Sequence, residues 1–413
     1  MKTTPKSLRL QIGIFGRTNV GKSSFLNYIA KQDVAITSPV PGTTTDVVEK
    51  TMELLPVGPV VFLDTAGLDD VSELSNLRIQ KTKKIFNRSD VILLIIEPDV
   101  WTEYEENVLT IAKEKNIPYI IVVNKIDKNY PSRIFIDKLK QNTERFLLCS
   151  SIDLKDRDKN VNLLKKYLLE ITPDSVLNAA SILEGILPKG GLALLIVPID
   201  LEAPKGRIIL PQVQVVRDCL DNDAASLIVK EHQYKDILKK LKVNPDIVIC
   251  DSQVVDKMVN DSPKGINCTT FSILFTHWKA DLACATKSVF ILDYLRGNDK
   301  ILIAESCSHH AIEDDIGRVK IPRWLNEYLG FKPEIDICSG RDFPEDLRKY
   351  KLVIHCGSCM ITRKETLRRI EFAKEAGVAI TNYGVCIAYL KGALARVLEP
   401  FPYALEIFKK YGK

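Results

Sequence analysis

The chain has 413 residues, which is too long for one compact unit, and at about 150 residues per domain two to four domains are expected. An apolar fraction of 46% and a charged fraction of 27% are those of an ordinary soluble globular protein. The net charge of +5 is small for this length, so charge alone does not indicate a nucleic-acid partner.

Nothing at the start of the chain predicts export or membrane insertion. The segment MKTTPKSLRLQIGIFG leads into a short apolar strand rather than a cleavage site, so it is not a signal peptide. The most apolar runs, 91–96 and 192–197, are far below the ~20 residues that cross a bilayer. We therefore expect a cytoplasmic protein without a membrane partner. Its ten cysteines should be reduced, so a local cysteine cluster indicates metal binding or catalysis before a disulfide.

The first part of the chain alternates apolar strands with helical stretches, which predicts a doubly wound α/β domain over residues 1–173. The apolar runs are continuous, as is typical of parallel strands covered on both faces. The predicted strands are LQIGIF, VVFLD, VILLII, YIIVVN and RFLLCS.

Two further α/β domains are predicted. Residues 174–268 begin with a helix over 176–187 and a strand, LALLIVPI, and contain no recognisable catalytic motif; we interpret them as a small dimerisation domain. Residues 269–413 contain the strands KILIAES, EIDIC, KLVIHC and VAITNYG, three of which end at a cysteine or a loop carrying one. Sites of parallel sheets form at the carboxyl ends of strands, so this parallel-sheet domain presents its cysteines where a site is expected.

The segment GRTNVGKS follows the first strand and precedes a helix, as a phosphate-binding loop does. Its glycines allow backbone N–H groups to converge on phosphate oxygens. We expect Lys22 to place a cation on the β and γ phosphates and Ser23 to ligate Mg²⁺. The predicted contacts of this loop with the nucleotide are Gly16, Asn19, Val20, Gly21, Lys22, Ser23 and Ser24.

Three later motifs also stand at strand ends. In DTAG, Asp64 can hold the Mg²⁺ shell and Gly67 can offer its N–H to the γ-phosphate. In NKID, formed by Asn124, Lys125, Ile126 and Asp127, the last carboxylate can accept the two protons that guanine presents and adenine lacks. Ser150 and Ser151 would close over the base. The four motifs in this order predict a GTPase domain.

Residues 8–170 resemble the Era/MnmE-like branch of the translation-factor GTPases. The run PGTTTD is similar to the first switch of that branch, and the resemblance implies that Thr44 completes the Mg²⁺ shell. Leu68 follows DTAG where Ras-like enzymes carry a water-orienting glutamine. Branch members without this glutamine use a K⁺ ion held by an asparagine, which Asn19 matches. The resemblance therefore implies K⁺-stimulated hydrolysis in which Lys22, Asn19, Thr44, Asp64 and Gly67 are the catalytic residues.

Cysteines and histidines concentrate near the end of the chain. Cys307 and His309 follow the strand KILIAES. His355 is the last residue of the strand KLVIH, and Cys356 and Cys359 follow it. The C-x-x-C spacing can serve one zinc ion or one iron–sulfur cluster, and Gly357 is expected to permit the tight backbone. A redox pair would not explain Cys307 or the histidines. Zinc with three cysteines and one histidine and a [4Fe–4S] cluster on three thiolates both stay open on spacing alone.

The combination of a GTPase domain with C-x-H and a later H-C-x-x-C resembles the [FeFe]-hydrogenase maturation GTPase family over essentially the whole chain. The resemblance implies a scaffold that carries a [4Fe–4S] cluster and delivers a diiron precursor, built by radical-SAM maturases, to the apo-[FeFe]-hydrogenase. It further implies that Cys307, Cys356 and Cys359 are the thiolate ligands, and it matches His309 and His355 to the motif histidines.

The candidates for the fourth ligand of the cluster are His309, His355, Asp314, Asp315 and an exogenous group. The expected cofactors are GTP, Mg²⁺, K⁺ and the [4Fe–4S] cluster, in a homodimer or higher oligomer that binds no nucleic acid. Two other interpretations are a zinc-stabilised adaptor gated by GTP and an RNA- or tRNA-modification GTPase.

Overall fold

The computed structural model describes residues 8–30, 48–64, 75–173, 180–199, 208–306, 315–340 and 342–412. The chain divides into two compact units, residues 1–179 and residues 180–413. Each unit is described by itself below.

The first unit is built on a six-stranded sheet with the order β2-β3-β1-β4-β5-β6. All neighbouring pairs are parallel except β2 and β3, which are antiparallel. The strands are β1 Leu10–Phe15, β2 Val48–Leu54, β3 Gly58–Asp64, β4 Val91–Ile96, β5 Tyr119–Val123 and β6 Phe146–Leu148.

Apolar cores cover both faces of this sheet. Leu93 of β4 packs into one core and the next residue, Leu94, into the other. Successive side chains of a strand point to opposite faces, so a continuous apolar run supplies both cores at once. This confirms the predicted doubly wound fold and explains why the predicted parallel strands read as unbroken apolar runs.

Two helices of the first unit begin at polar N-capping residues. Thr102 and Glu105 form a capping box at the start of α3, and Ser132 caps α4 by accepting from the Phe135 N–H. The helices are α1 Lys22–Ala30, α2 Ser75–Arg88, α3 Glu103–Glu114, α4 Arg133–Asn142 and α5 Arg157–Ile171.

The second unit contains two four-stranded parallel sheets, with the orders β10-β9-β7-β8 and β12-β11-β13-β14. One apolar core spans residues from both sheets, for example Leu194 of the first and Ile303 of the second. The strands are β7 Leu192–Ile196, β8 Ala225–Val229, β9 Ile247–Cys250, β10 Asn267–Thr270, β11 Lys300–Ala304, β12 Glu334–Cys338, β13 Leu352–His355 and β14 Ala379–Asn382.

Helices connect these parallel strands, as parallel pairing requires. Asp315 caps a π-helical segment, Ile316–Lys320, that leads directly into α11. The α-helices are α6 Leu210–Asp221, α7 Tyr234–Lys240, α8 Val255–Asp261, α9 Phe271–Lys279, α10 Leu282–Val289, α11 Ile321–Leu329, α12 Arg363–Glu375, α13 Tyr383–Leu390, α14 Leu394–Val397 and α15 Pro402–Tyr411.

Two local features differ from the sequence predictions. The segment VEKTMEL forms the antiparallel edge strand β2, which was not predicted because the polar run Glu49, Lys50 and Thr51 interrupts its apolar residues. The helix predicted over 176–187 is wrong for its described part, since residues 182–186 form turns. The bounds of the three predicted domains stay predictions.

None of the helices in the described ranges is long and apolar enough to cross a membrane.

Candidate functional site

The predicted phosphate-binding loop connects β1 to the N-terminus of α1. Gly16 lies so close to β4 that a Cβ atom there would stand 2.4 Å from the carbonyl oxygen of Ile95. Gly21 has φ +93°, and a Cβ there would stand 2.3 Å from the amide nitrogen of Asn124. Both positions therefore require glycine, for close approach and, at Gly21, also for backbone conformation.

Lys22 is buried and its amino group reaches back across the loop. Its Nζ donates to the carbonyl oxygens of Gly16 at 2.7 Å and Arg17 at 3.1 Å. Ser23 and Ser24 are exposed in the first turn of α1, beside the backbone N–H groups of the helix N-terminus. A cation and these N–H groups at one point form an anion site suited to phosphate.

Asp64 is the last residue of β3 and is buried, with 4% of its surface exposed. It pairs in register with Ile14 of β1, one residue from the end of that strand, so its carboxylate lies next to the start of the loop. Lys50 Nζ lies 3.9 Å from it. This position suits the predicted part in the Mg²⁺ shell. Thr44, Gly67 and Leu68 lie outside the described residues.

Asn124 connects three of the predicted motifs. Its side-chain amide donates to the Val20 carbonyl at 2.9 Å, and its carbonyl accepts from the Ser151 N–H at 3.0 Å and the Ser151 hydroxyl at 2.8 Å. Asn124 is 1% exposed and Ser150 is also buried, whereas Asp127 is exposed. Asn124 therefore binds protein, and Asp127 is left accessible to a base.

Lys125 adopts a left-handed conformation, φ 64°, and its amino group donates to the Asn19 carbonyl and to Glu97 Oε1, the latter at 2.6 Å. Asn19 is left-handed as well, with φ 65°. Glu97 was not predicted as a site residue; its place directly after the strand β4 is the sequence signal that could have identified it.

The N-terminus of α3 also supports the loop, which the sequence reading missed. Tyr104 accepts a hydrogen bond from the Gly16 N–H at 3.2 Å. Arg17 Nε lies 2.9 Å from Oε1 of the fully buried Glu105, whose other oxygen accepts from Thr102 in the capping box. The capping signal T-x-x-E was visible in the sequence, but the contact across the fold was not.

In the second unit, Cys356 lies against the end of the neighbouring strand. Ala304, the last residue of β11, pairs with His355, the last residue of β13. The Cys356 N–H donates to the Ala304 carbonyl at 2.9 Å, and the Ser306 N–H donates to Cys356 Sγ at 3.0 Å. The Cys356 thiol in turn donates to the Ser306 hydroxyl at 3.1 Å. The register therefore brings Cys356 beside the residue that precedes Cys307.

In the turn between Cys356 and Cys359, the residue with the left-handed backbone conformation is not the one predicted. Ser358 carries the left-handed conformation, with φ 58°, whereas Gly357 does not. A Cβ on Gly357 would meet only the Ser272 hydroxyl, at an ordinary 3.6 Å. The expectation that Gly357 supplies the special backbone is therefore wrong.

His355 is buried and both of its ring nitrogens lie within hydrogen-bond distance of protein groups. Arg369 Nη1 lies 3.1 Å from Nε2, and the Cys356 carbonyl lies 2.9 Å from Nδ1. An arginine can only donate, so Nε2 is the accepting nitrogen and Nδ1 carries the proton. Burial first, and then the charge of Arg369, lowers the pKa of His355 to about 3. The neutral ring thus forms a hydrogen bond with the Cys356 carbonyl on one side and with Arg369 of α12 on the other.

Cys359, like Cys356, is half-buried. Burial, and then repulsion by Cys356, raises the pKa of its thiol to about 12, while Lys279 acts in the opposite direction. Asp315, considered as an oxygen ligand, is buried and accepts from the Arg318 N–H at 2.8 Å as a helix cap. Cys307, His309 and Asp314 lie outside the described residues, and the described residues alone contain no group of three metal-ligating side chains.

The other cysteines divide by burial. Cys149, Cys219, Cys250, Cys268 and Cys386 are core residues with 1% or less of their surface exposed. Burial raises the pKa of Cys386 to about 12, so it is an inert thiol. Cys338 is half-buried at the end of β12, in register with Ala304.

Comparison with known proteins identifies both units. The family model described as hydrogen maturase F dimerization domain matches residues 182–280, and that of the hydrogen maturase F tetramerization domain matches residues 283–400. Residues 11–125 match the family model described as 50S ribosome-binding GTPase.

Curated GTPases are similar to part of this chain. The tRNA modification GTPase MnmE of Caldicellulosiruptor saccharolyticus is 33% identical over 175 residues, which cover 41% of this chain and 37% of that protein. GTPase Era of a Thermoanaerobacter species is 35% identical over 171 residues, which cover 40% of this chain and 54% of that protein. The chain thus spans between about a third and about a half of the length of these relatives.

Among solved structures, Aquifex aeolicus Era bound to GDP and aluminium fluoride is 29% identical, with a TM-score of 0.31; the match covers 40% of this chain and 56% of that one. The family matches and the GTPase relatives together assign GTP hydrolysis to the first unit and oligomerisation to the second. The chain therefore belongs to the hydrogen maturase F family, and its GTPase domain is similar to those of Era and MnmE.

Proposed function

We propose that this GTPase is a scaffold that binds a [4Fe–4S] cluster through Cys307, Cys356 and Cys359 and delivers a diiron precursor to the apo-[FeFe]-hydrogenase. The observation that carries the proposal is the contact between Ser306 and Cys356, in which a backbone N–H donates to Sγ at 3.0 Å. Cys307 is the next residue in the sequence, and this contact at the ends of β11 and β13 supports the proposal that Cys307 and Cys356 bind one cluster.

The residues in this place suit an iron–sulfur cluster. Thiolates are the ligands that such clusters prefer, and N–H groups directed at the sulfur atoms are one of the means by which proteins tune them. His355 would have to give up its hydrogen bond with Arg369 to ligate iron through Nε2. We therefore propose that His355 positions the turn, and that the fourth iron site is served by His309, Asp314 or an exogenous ligand.

In the first unit, the described residues bind and orient GTP. Lys22 and the N-terminus of α1 neutralise the phosphates, Asp64 supports Mg²⁺, and Asp127 selects guanine. Asn124 and Lys125 hold the phosphate loop in place through hydrogen bonds to the carbonyl oxygens of Val20 and Asn19. Charge placed in advance where charge develops in the transition state is the main means by which such a site accelerates phosphoryl transfer.

We further propose that K⁺ stimulates hydrolysis and that Asn19 holds it. The backbone carbonyl of Asn19 is engaged by Lys125, and the left-handed residue occupies the middle of the phosphate loop. The test compares hydrolysis rates in K⁺ and in Na⁺. We expect the parent to be faster in K⁺ and Asn19→Ala to lose the difference. Equal rates of the parent in both salts would end the K⁺ proposal without affecting the scaffold proposal.

The cargo and its partners are the remaining part of the proposal. Radical-SAM maturases would load the diiron precursor as a substrate of the scaffold, and the apo-hydrogenase would receive it. The family matches over residues 182–400 support this role above that of a tRNA-modification GTPase, whose match in the relative named above covers 41% of this chain.

The deciding experiment is anaerobic reconstitution with iron and sulfide, followed by absorption and EPR spectra of the full chain. We expect a broad iron–sulfur absorption and a cluster EPR signal after reduction. Cys356→Ala should lose both, and Cys386→Ala should retain both because Cys386 lies in the core. Stoichiometric zinc in the purified protein without iron–sulfur absorption would overturn the proposal in favour of a zinc-stabilised adaptor.

A further inference from the structure

Lys279 is a buried lysine that directly contacts the turn carrying Cys359. It is the last residue of α9, and only 2% of its surface is exposed. Its Nζ lies 3.5 Å from the carbonyl oxygen of Ser358 and 3.4 Å from that of Ile361. These residues stand on either side of Cys359, so the amino group of Lys279 sits on the cysteine turn itself.

The surroundings of Lys279 do not explain why a cation is buried there. Removing an ammonium group from water is unfavourable unless the charge is compensated. In the described part of the chain, no carboxylate forms an ion pair with Lys279. The rings of Trp278 and Phe275, with centroids at 5.0 and 5.8 Å from Nζ, compensate the charge only in part. Two long hydrogen bonds to carbonyl oxygens add little more.

The position of Cys359 suggests an anion for this cation. Cys359 lies in the sequence between Ser358 and Ile361, the two residues whose carbonyl oxygens Lys279 contacts. A thiolate bound to metal would give Lys279 the anion that its surroundings lack.

We infer that Lys279 is the counter-cation of the metal centre: it holds the Ser358–Ile361 turn through two carbonyl oxygens and compensates the negative charge of the thiolate-bound cluster. This inference rests on the proposed [4Fe–4S] scaffold. Lys279 acts through Cys359 rather than as an iron ligand, so it is a positioning residue with an electrostatic effect. The effect should appear in the reduction potential, because an added electron is stabilised by a nearby cation.

The test is a potentiometric titration of the reconstituted full chain, in which dithionite supplies one electron to the cluster and EPR follows the reduced form. Lys279→Met removes both the charge and the donors, Lys279→Gln keeps donors without charge, and Lys279→Arg keeps the charge. We expect the Met and Gln variants to have an equilibrium constant for reduction at least about tenfold lower, which is a potential ~59 mV lower for a one-electron couple. The Arg variant should stay close to the parent.

Lys320→Met is the matched control, since Lys320 is also a buried lysine but donates to Gln253. A parent-like potential in Lys279→Gln, or an equal decrease in Lys320→Met, would overturn the inference while the scaffold proposal stands. If Lys279→Met does not fold, Lys279→Gln decides the question alone. Absence of any iron–sulfur signal in the parent would instead show that the scaffold proposal itself is wrong.

Discussion

At the scale of single residues, the nucleotide site depends on side chains that bind protein so that others can bind GTP. Asn124 is the clearest of these, since one buried amide serves the Val20 carbonyl and two donors of Ser151. A buried group that loses its partner costs about 1–3 kcal/mol, so the three bonds matter more than their net strength suggests.

We predict that Asn124→Ala weakens GTP binding at least tenfold and lowers the free energy of unfolding of the first unit by roughly 2–4 kcal/mol. Binding of a fluorescent GTP analogue and urea denaturation measure the two effects. Asn129→Ala is the control, because its amide is exposed and bonds only to Asp99 at 3.2 Å. Parent-like binding by Asn124→Ala would contradict the bridging role.

The buried Cys149 should make the first unit sensitive to high pH. Burial raises the pKa of its thiol to about 12, from an ordinary value of 9.0 that applies in the unfolded chain. The folded state therefore keeps a proton that the unfolded state releases. Its stabilising contribution is complete below pH 9 and is lost as the pH rises from 9 towards 12.

Between pH 8 and pH 10, this single group should lower the free energy of unfolding by about 1.4 kcal/mol. Cys149→Ala should show a smaller decrease over the same interval, by that amount. Urea denaturation at the two pH values, followed by a signal of the first unit, measures the difference. Equal decreases in parent and variant would show that Cys149 already ionises in the folded state.

At the scale of elements, one ion pair joins the two ends of the segment that carries Cys307. Glu305, directly after β11, is 4% exposed, and its Oε2 accepts from Arg318 Nη2 at 3.2 Å and from the Ser339 hydroxyl at 3.0 Å. Arg318 lies in the π-helical segment on the far side of residues 307–314. The pair therefore sets the distance between Glu305 and Arg318, the residues on either side of that segment in the sequence.

We predict that Glu305→Gln lowers the free energy of unfolding of the second unit by about 1–3 kcal/mol, since it leaves Arg318 without its charge partner and Arg318 is partly exposed. Iron retained after reconstitution should decrease as well, because the segment is less restrained. Glu327→Gln is the control, because its pair with Arg323, at 4.0 Å, is exposed and should contribute less than ~1 kcal/mol. Equal effects of both variants would argue against this role of Glu305.

At the scale of the whole molecule, the two units have separate apolar cores, so their stabilities can be separated. A ligand that binds one folded unit stabilises that unit by mass action. We predict that a non-hydrolysable GTP analogue with Mg²⁺ shifts only one of two urea transitions, by about 2.7 kcal/mol at a ligand concentration of 100 Kd.

Circular dichroism together with the fluorescence of Trp101 in the first unit can assign the transitions. Lys22→Ala should abolish the shift, because it removes the cation from the phosphate site. Cys356→Ala should leave the shift unchanged. A single transition that moves as a whole would show that the two units unfold together.

The sequence by itself determined the fold class, the parallel strands of the first sheet and the GTPase motifs, whereas the metal site at the cysteines stays a prediction. Continuous apolar runs predicted every described parallel strand of the first sheet, because a strand buried on both faces needs apolar residues at every position. Motifs with fixed spacing predicted the phosphate loop and the base-selecting Asp127, because such sites depend on local backbone geometry. Edge strand β2 was missed because its three consecutive polar residues break the alternation that indicates a half-buried strand.

Only the tertiary structure decided which groups support these sites. Glu97, Glu105 and Tyr104 contact the phosphate loop or the lysine that binds it. Lys279 contacts the cysteine turn from a helix 79 residues earlier in the chain, and Arg369 contacts it from the helix that follows the turn. A contact between distant residues depends on strand register and helix packing, which no local pattern encodes. The same packing decides whether a lysine or a histidine is exposed or buried against a partner. The burial of Lys279 and its contact with the cysteine turn could therefore be identified only in the folded chain.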